Sequence, residues 1–384
     1  MSTWHEKRVS IIVTTYKNWR LLERSLNSIF CQDHKNIEII VTDDGTEGFD
    51  TEYVQSLIDQ NGTDHIQSVH ILHSETNTGT VKNLLRGLSV MTGDYYMTFG
   101  ADDMLADPKV LSTMLRYAEL YKWEPLAITG QLVLCDDKMK PTGVALTEQD
   151  KAVLKSRDAS LLFSTLVYRC CIATVATMYR RDFPQVVDAY DTDYCYYEDY
   201  PTFLRMARKG VTPLFIDRKI SLHAGGGIAN GAAHKDEAIT RRFYQDRELL
   251  YRREIKPYLS EQPRMVKTLL TQRRRSLKRQ FLWELYSIYD EKQRKKLILT
   301  SPWTLYWALG KGQIMRDKLT KIGVTCLALA CSVRASGLFS GLVGMMIEGL
   351  CGLVAIGGIS VFVCWHVFNF CVQCKEIWLK ALQQ

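Results

Sequence analysis

The first hundred residues alternate between two kinds of hydrophobic pattern. Short, nearly continuous apolar runs are separated by longer segments in which apolar residues recur every three or four positions. The continuous runs are typical of strands that are buried on both faces, and the second spacing is typical of helices that bury one side. The order βαβαβαβ favours an α/β fold with a doubly wound, mostly parallel sheet flanked by helices. The predicted strands are 8–15, 37–42, 69–73 and the run from 93 that ends before 102.

The pattern is less regular in the second half of the chain. Apolar runs at 125–134, 173–179 and 213–217 predict further strands, and 151–168, 202–209 and 241–296 have helical spacing. We therefore predict three regions in chain order. They are an α/β domain over 1–235, a basic helical membrane-proximal segment over 236–320, and a hydrophobic membrane region over 321–384.

The positive charge of the chain is concentrated in one segment. The formal net charge is +7, yet residues 241–296 contain 17 Lys or Arg against 7 Asp or Glu. So basic a stretch suits nucleic acid or an anionic membrane surface. No aromatic-interleaved platform or known nucleic-acid-binding module accompanies it, so we expect no nucleic-acid partner and favour the membrane surface.

The tail predicts membrane attachment. Gly349–Val372 is a run of 24 residues without a formal charge, and a bilayer-spanning helix needs about 20. The alternative is a buried core helix. A second span before it would place the charge of Arg334 within the bilayer, which needs a partner. Two spans would return Lys375 and Lys380 to the side of the basic segment. We therefore expect a protein of the cell inner membrane with its α/β domain on the cytoplasmic side.

Polar side chains follow the ends of the predicted strands. These ends share one edge of the sheet, which is where ligands bind in open α/β folds. The Tyr16 ring could stack on a base, and the Asp43 carboxylate could accept the imide N–H of uracil. The first strand is not followed by Gly-x-Gly-x-x-Gly, which argues against dinucleotide binding. The strand-end residues are Thr15, Tyr16, Asp43, Asp44, Asn77, Asp102 and Asp103.

Asp102 and Asp103 are adjacent carboxylates that would repel each other without a cation or a donor between them. One interpretation is a site for a hard divalent metal, Mn²⁺ or Mg²⁺, that holds phosphate oxygens. The other is a solvated turn before a helix that begins at Pro108.

A second candidate site follows near residue 199. Aromatic residues surround Glu198 and Asp199, which precede a predicted helix. An acid there is either a helix cap or a general base in a partly apolar pocket. Further on, His223 is followed by the glycines 225–227, where backbone can approach a phosphate closely. His223 is therefore a candidate for binding metal or phosphate.

These strings, in this order, resemble the family 2 glycosyltransferases, which have a GT-A fold. The resemblance covers roughly residues 8–230. The matching strings are Val-Ser-Ile-Ile-Val-Thr-Thr-Tyr-Lys-Asn at 9–18, Ile-Ile-Val-Thr-Asp-Asp-Gly-Thr at 39–46, Asn-x-Gly-x-x-Lys-Asn at 77–83, the run 93–103, and Glu-Asp at 198–199.

The resemblance implies a nucleotide-sugar donor, a divalent metal and a defined set of roles. Thr15, Tyr16, Asp43, Asp44, Asn77, Lys82 and Asp103 would bind the donor, Asp102 and His223 the metal, and Asp199 would be the base with Glu198 in support. The family usually has Asp-x-Asp at the metal site, and here Gly100 replaces the first Asp. We therefore expect the metal to depend more on the donor's own phosphates.

The function predicted from this resemblance is inverting transfer of a sugar, most plausibly from a UDP-sugar. The membrane tail suggests a lipid-linked glycan or glycolipid acceptor, as in surface polysaccharide synthesis. One alternative is a sugar-nucleotide nucleotidyltransferase, which would normally show a Gly-rich basic loop where only Lys17 stands. Another is a non-catalytic membrane scaffold, suggested by Gly100. Gln272 begins a string that lacks the Trp of processive synthases, so we expect no processive action.

Overall fold

The computed structural model describes residues 3–61, 64–136, 138–224 and 236–300. Its contacts divide the chain into two compact units, Met1–Ile288 and Tyr289–Gln384. The membrane region predicted over 321–384 lies outside the described residues, and the domain boundaries at 235 and 320 stay predictions. Within the described part, no helix combines the length and the apolar character that a bilayer crossing requires.

One sheet of nine strands forms the centre of the first unit. The strand order is β3-β2-β1-β4-β8-β6-β9-β5, and β7 pairs with β6 outside this path. The strands are β1 Val9–Thr15, β2 Ile37–Asp43, β3 Ile66–His73, β4 Tyr95–Gly100, β5 Asp103–Leu105, β6 Ala127–Cys135, β7 Pro141–Val144, β8 Thr177–Arg180 and β9 Leu214–His223.

The sheet is mixed, and four of the eight described strand pairings are parallel, so the prediction of a mostly parallel sheet is confirmed only in part. Strands β1 to β4 are parallel as predicted, but β8 runs antiparallel to both β4 and β6, and β5 runs antiparallel to β9. The apolar runs did not contain this information, because periodicity reports burial and not the direction of pairing. A mixed α/β sheet flanked by helices agrees with the GT-A-like fold that the resemblance implies.

Helices flank the sheet in the first unit, and the last described helix, Glu291–Thr300, belongs to the second unit. The helix predicted from Pro108 begins at Val110 instead, because the Pro108 carbonyl accepts from Asp33 N and the Asp107 carboxylate pairs with Arg218. The described helices are α1 Leu22–Phe30, α2 Thr51–Asn61, α3 Thr80–Val90, α4 Val110–Leu120, α5 Glu148–Ser156, α6 Ala159–Tyr168, α7 Phe183–Val187, α8 Tyr200–Arg208, α9 Glu237–Leu250, α10 Arg264–Ile288 and α11 Glu291–Thr300.

Two hydrophobic clusters lie on the two faces of the sheet. Successive residues of β1 alternate between them, with Ile11 and Val13 in one cluster and Ile12 in the other. Burial on both faces explains why the strands have nearly continuous apolar sequences. Leu250 and Leu270 belong to the second cluster, so α9 and α10 pack on the same unit as the sheet.

Candidate active site

A cleft of about 280 Å³ opens at the carboxyl ends of β1 and β4. It brings together residues that the sequence separates by up to 229 positions, the interval from Thr14 to Phe243. Asp102, Asp103 and Asp199 therefore share one cavity, as the sugar-transfer hypothesis requires. The predicted site residues that line it are Thr15, Tyr16, Asp44, Asn77, Asp102, Asp103, Glu198, Asp199 and His223.

Two predicted donor-binding residues do not line this cleft. Asp43 is fully buried, and its carboxylate accepts from Thr46 N at 2.7 Å and contacts His73 Nδ1 at 2.9 Å. Lys82 is exposed on α3, and the next residue, Asn83, lines the cleft. Asp43 thus shapes the turn after β2, and donor roles for Asp43 and Lys82 stay predictions.

The turns after β1 and β2 are held by side chains that accept from backbone. Asn18 Oδ1 accepts from Thr15 Oγ1 at 2.9 Å and from Tyr16 N at 3.2 Å. Asp44 accepts from both N and Oγ1 of Thr78, and from Gly79 N at 2.7 Å. These bonds fix the strand ends and leave Tyr16 partly buried at the cleft wall.

Asp103 and His223 form a pair across adjacent strands. They lie opposite each other in the antiparallel β5–β9 pairing, and their Oδ1 and Nδ1 atoms are 2.7 Å apart. This hydrogen bond raises the pKa of His223. The other oxygen of Asp103 accepts from Gly100 N at 2.8 Å, so both carboxylate oxygens of Asp103 have protein partners. The glycines that follow His223 in the sequence lie outside the described residues.

Asp102 differs from its neighbour because one of its oxygens has no partner. Its Oδ2 atom is buried and makes no hydrogen bond among the described residues. Burial, and then the charge of Asp103, raise the pKa of Asp102. A buried carboxylate oxygen without a donor is an unsatisfied ligand, which is what a hard cation would complete.

The charge of the cleft also fits a cation. Five carboxylates line it, and its described walls carry no Lys or Arg. A diphosphate entering alone would be repelled, whereas one that enters with a divalent cation would not. No group of three or more His, Cys, Asp or Glu side chains converges into a complete metal site in the described ranges. The residues therefore fit a metal whose remaining ligands come from the donor.

Gly100, the departure from the family pattern, is required by this arrangement of acids. A β-carbon at residue 100 would lie 2.7 Å from Asp102 Oδ1 and 3.1 Å from Asp103 Oδ2. Both distances are shorter than ordinary contacts, so a side chain there would displace the carboxylates. The acid pair occupies space that a larger residue would need.

Glu198 and Asp199 are partly buried beside the cleft at the start of α8. Asp199 is the N-cap, and its Oδ1 accepts from Tyr200 N at 2.6 Å. Burial, followed by the charge of Asp199, raises the pKa of Glu198 to about 8. Burial also raises the pKa of Asp199. Asp199 is thus a helix cap that also lines the cleft, and a carboxylate with a raised pKa is suited to act as a base near neutral pH.

The loop that carries these acids is fixed from two sides. Asp246 of α9 is buried and accepts from Cys195 N at 2.9 Å and Tyr196 N at 2.7 Å. On the other side, Val81 N donates to Cys195 O at 3.2 Å. Gly79, with φ of +92°, lies so close that its β-carbon would be 2.5 Å from Cys195 Sγ. Only glycine fits this position.

Sequence reasoning missed the contribution of α9 to the cleft. Phe243 lines it and stacks on Tyr196, with ring centroids 4.6 Å apart and planes inclined by 13°. Helical spacing indicated only that Phe243 lies on an apolar face. Asp246 had no local signal beyond being an acid in a basic segment.

Comparison with known proteins identifies the family of the α/β unit. Residues 10–158 match the family described as Glycosyl transferase family 2. An uncharacterized glycosyltransferase of Haemophilus influenzae is 22% identical over 249 residues, which are 63% of this chain and 73% of that protein. One from Nostoc is 26% identical over 46% of this chain and 51% of its own length.

A named relative matches a shorter segment. The GalNAc(5)-diNAcBac-PP-undecaprenol beta-1,3-glucosyltransferase of Campylobacter jejuni is 33% identical over 111 residues, which are 29% of this chain and 34% of that protein. The chain therefore spans half or less of the length of several curated relatives that it matches.

Two solved structures align over most of the chain. S. aureus TarS 1–349 in complex with UDP-GlcNAc has a TM-score of 0.48 at 16% identity and covers 79% of this chain and 80% of its own. The Pyrobaculum calidifontis mannosyltransferase PcManGT in complex with GDP-Man and Mn²⁺ has a TM-score of 0.48 at 15% identity, over 91% and 86%. At these TM-scores neither likeness decides anything about this chain.

The matched segment 10–158 contains β2 to β7 and all of β1 except Val9, and with them most of the cleft residues that follow the parallel strands. Tyr16, Asp44 and the pair Asp102–Asp103 all lie within it. Together with the glycosyltransferase relatives, this match assigns the chain to a transferase class. Residues 10–158 thus match the family 2 glycosyltransferases, and this match together with the glycosyltransferase relatives supports a transferase enzyme.

Proposed function

We propose that this enzyme is an inverting glycosyltransferase that moves a sugar from a nucleotide sugar, with a UDP-sugar favoured, to an acceptor hydroxyl. The observation that carries the proposal is the shared cleft. Asp102 and Asp103 line one part of it and Glu198 and Asp199 another. A donor diphosphate at the first pair would place the sugar within reach of a base at the second.

The donor side would use the strand-end residues. Tyr16, Asp44 and Asn77 line the end of the cleft next to the turns after β1 and β2, and we assign them to the nucleoside. Asp102 and His223 would hold Mn²⁺ or Mg²⁺, with Asp103 orienting His223. When bound, the metal would offset the charge of the diphosphate, both in the donor and as a leaving group.

Asp199 would act as the general base in a single displacement. Its carboxylate accepts the proton of the acceptor hydroxyl while the hydroxyl oxygen forms a bond to the anomeric carbon. The bond from that carbon to the diphosphate oxygen breaks, and the nucleoside diphosphate leaves with the electron pair. Attack opposite the leaving group inverts the anomeric centre. Glu198 would support the base as the second acid of the pair. Burial, and then the charge of Asp199, raise the pKa of Glu198.

We further propose that the acceptor is a lipid-linked glycan or glycolipid used in surface polysaccharide synthesis. Two observations favour it. The name of the Campylobacter relative specifies a polyprenyl diphosphate-linked acceptor, and the Salmonella typhimurium relative RfbV is named an abequosyltransferase. The basic segment and the hydrophobic tail suit attachment to an anionic inner membrane surface, with the cleft on the cytoplasmic side.

The direct test is turnover of the full chain with UDP-sugars and Mn²⁺, measured as UDP release. We expect Asp199→Asn to lower turnover by about 10²–10⁴-fold, because the amide cannot take the proton. Binding of the donor should remain, since Asp199 is assigned no contact with it. The matched control is Asp193→Asn in the same loop, which is exposed and does not line the cleft.

Other outcomes would contradict the proposed mechanism or indicate a different function. Equal turnover in wild type and Asp199→Asn would remove Asp199 as the base. Release of pyrophosphate from a nucleoside triphosphate and a sugar phosphate would make the chain a nucleotidyltransferase. Failure to bind any nucleotide sugar would favour a scaffold that only retains the fold.

A further inference from the structure

A second cavity of about 300 Å³ lies beside the active cleft, between α6, α8, α9 and α10. Its charge is opposite to that of the cleft. Four arginines and one lysine line it, against a single acid. The charged residues are Arg169, Arg247, Arg273, Arg274, Lys278 and Glu248.

Not all of these cations are neutralised within the protein. Arg274 pairs with Glu248 at 2.9 Å, and Arg169 pairs with Asp150. Arg247 and Arg273, in contrast, form no ion pair with any described acid. Like charges that share a cavity repel one another, so an anion bound there would be stabilised.

Two contacts position Arg247 and leave its N–H groups able to bind a further acceptor. Its Nε lies 3.3 Å from Tyr197 Oη, and its Nη1 lies 3.5 Å from the Leu277 carbonyl. Both contacts are long, and the side chain is partly buried. Guanidinium groups present parallel N–H donors whose spacing matches phosphate oxygens. The cavity therefore suits a phosphate group better than an uncharged sugar.

The cavity adjoins the cleft at one residue. Tyr197 lines both, and it directly precedes the acids Glu198 and Asp199. Along α9, Phe243 lines the cleft and Arg247 lines the cavity one helical turn later. One turn is about 5.4 Å, which is similar to the length of a sugar unit. A ligand with a phosphate in the cavity could thus present a nearby hydroxyl to the cleft.

We propose that this cavity binds a phosphate group of the acceptor and so positions the acceptor hydroxyl at Asp199. The inference rests on the proposed function, and it narrows the acceptor to the class of phosphate-bearing glycans and lipids. The tyrosine rings at the cavity, Tyr197 and Tyr200 among them, offer flat apolar faces beside the cations. That combination suits an amphipathic ligand whose phosphate is joined to a sugar or a lipid.

The test is binding by the full chain, without donor and without turnover. Inorganic pyrophosphate and dodecyl phosphate would be titrated calorimetrically in EDTA, so that no metal can draw them into the acidic cleft. Dodecyl maltoside, which is uncharged, is the matched neutral probe. We expect both phosphates to bind, and Arg247→Gln or Arg273→Gln to weaken that binding by about tenfold each.

The control is Arg275→Gln, which removes one charge from the same helix at an exposed position outside the cavity. It should leave binding unchanged, and thermal unfolding of all three variants should match wild type. Equal weakening by Arg275→Gln, or no phosphate binding at all, would overturn the proposal. Vesicles of phosphatidylcholine with one-fifth phosphatidylglycerol form the last arm. If Arg247→Gln or Arg273→Gln weakened binding to these vesicles but not to pyrophosphate or dodecyl phosphate, the cavity would be assigned to a membrane headgroup. That result would overturn the acceptor assignment.

Because this measurement requires no sugar transfer, its failure differs from that of the proposed function. Phosphate binding that depends on Arg247 in a chain that releases no UDP would leave the cavity assigned and the transfer disproved. Asp199-dependent UDP release without phosphate binding would give the reverse result.

Discussion

Two neighbouring hollows of nearly equal size have opposite charge. The active cleft is lined by five carboxylates without a described Lys or Arg, and the adjoining cavity by five cations and one Glu. The basic lining of the cavity would stabilise an anion, whereas the acidic lining of the cleft would repel a diphosphate that entered without a cation. The difference indicates how one enzyme could separate two phosphate-bearing substrates. The donor would require the metal and the acceptor would not.

The boundary between the hollows is narrow. Tyr197 belongs to both, and α9 contributes Phe243 to one and Arg247 to the other. A substitution in one hollow can therefore be tested for whether it also changes ligand binding in the other. The predictions below alter the acidic side, and the arginine variants proposed above alter the basic side.

The largest effect on donor binding is expected when charge is removed at the buried oxygen of the cleft. Asp102→Asn replaces the carboxylate whose Oδ2 has no partner among the described residues. We expect Mn²⁺-dependent donor binding to weaken by about 100-fold, as ligand-shell substitutions commonly do. Titration of a UDP-sugar with and without Mn²⁺ measures this. Pyrophosphate binding at the basic cavity should not change, and a parallel loss there would mean that the two hollows are not independent.

A smaller effect follows from the raised proton affinity of the acid pair. Burial raises the pKa of Glu198 to about 8 and also that of Asp199, and the charge of Asp246 contributes to the shift at Glu198. A base must be ionised, so kcat/KM should rise with pH by about tenfold per unit until the pair has lost its proton. The midpoint should lie above the ordinary carboxyl value near 4.

The same shift has a defined sign for stability. Because the folded pKa values exceed those of the unfolded chain, folding favours the protonated pair. That contribution is fully present below the unfolded pKa and is lost as the pH rises through the folded one. A pH–rate profile and thermal unfolding over the same range measure both effects. A limb in kcat/KM near pH 4 would contradict the assignment of the base to this pair.

The smallest effect concerns the residue at which the chain departs from its family. Gly100→Asp restores the family's first acid, and a simple count of ligands predicts tighter metal binding. We expect the opposite, because the new side chain would collide with the carboxylates of Asp102 and Asp103. Overpacking costs about 1–3 kcal/mol, and 1 kcal/mol of it in the loaded cleft would weaken Mn²⁺-dependent donor binding about fivefold. Gly143→Asp is the control, since nothing lies near a β-carbon there.

The donor side of the molecule was largely predictable from sequence. Strands β1, β2 and β4 are buried on both faces and β3 is only partly buried, and their apolar runs marked all four. Polar residues that follow these runs line one cleft at the ends of the strands. The prediction rests on the rule that ligands bind at the carboxyl ends of parallel strands, which needs only the local pattern and the parallel topology. Asp43 and Lys82 lie off the cleft because side-chain direction within a turn or helix is not set by strand order.

The acceptor side was less predictable for a physical reason. Strand β5 is three residues long and exists through its pairing with β9, and the direction of β8 follows from its partners. Phe243 reaches the cleft, and Asp246 reaches the loop around residue 196, only because α9 packs against that loop. Such contacts join positions some fifty residues apart, and no periodicity in either segment encodes them.

The contacts that fix the loop at Cys195 from two sides limit how this enzyme can be divided into fragments. Gly79 and Val81 hold the loop from one direction and Asp246 from the other, and the segment that matches the family ends at 158. A fragment cut at that limit would keep the nucleotide end but contain neither Glu198 nor Asp199. A longer fragment that stopped before α9 would contain both acids on an unanchored loop. On the proposed mechanism, catalysis would therefore require the assembled unit, and the segment 10–158 alone would not support it.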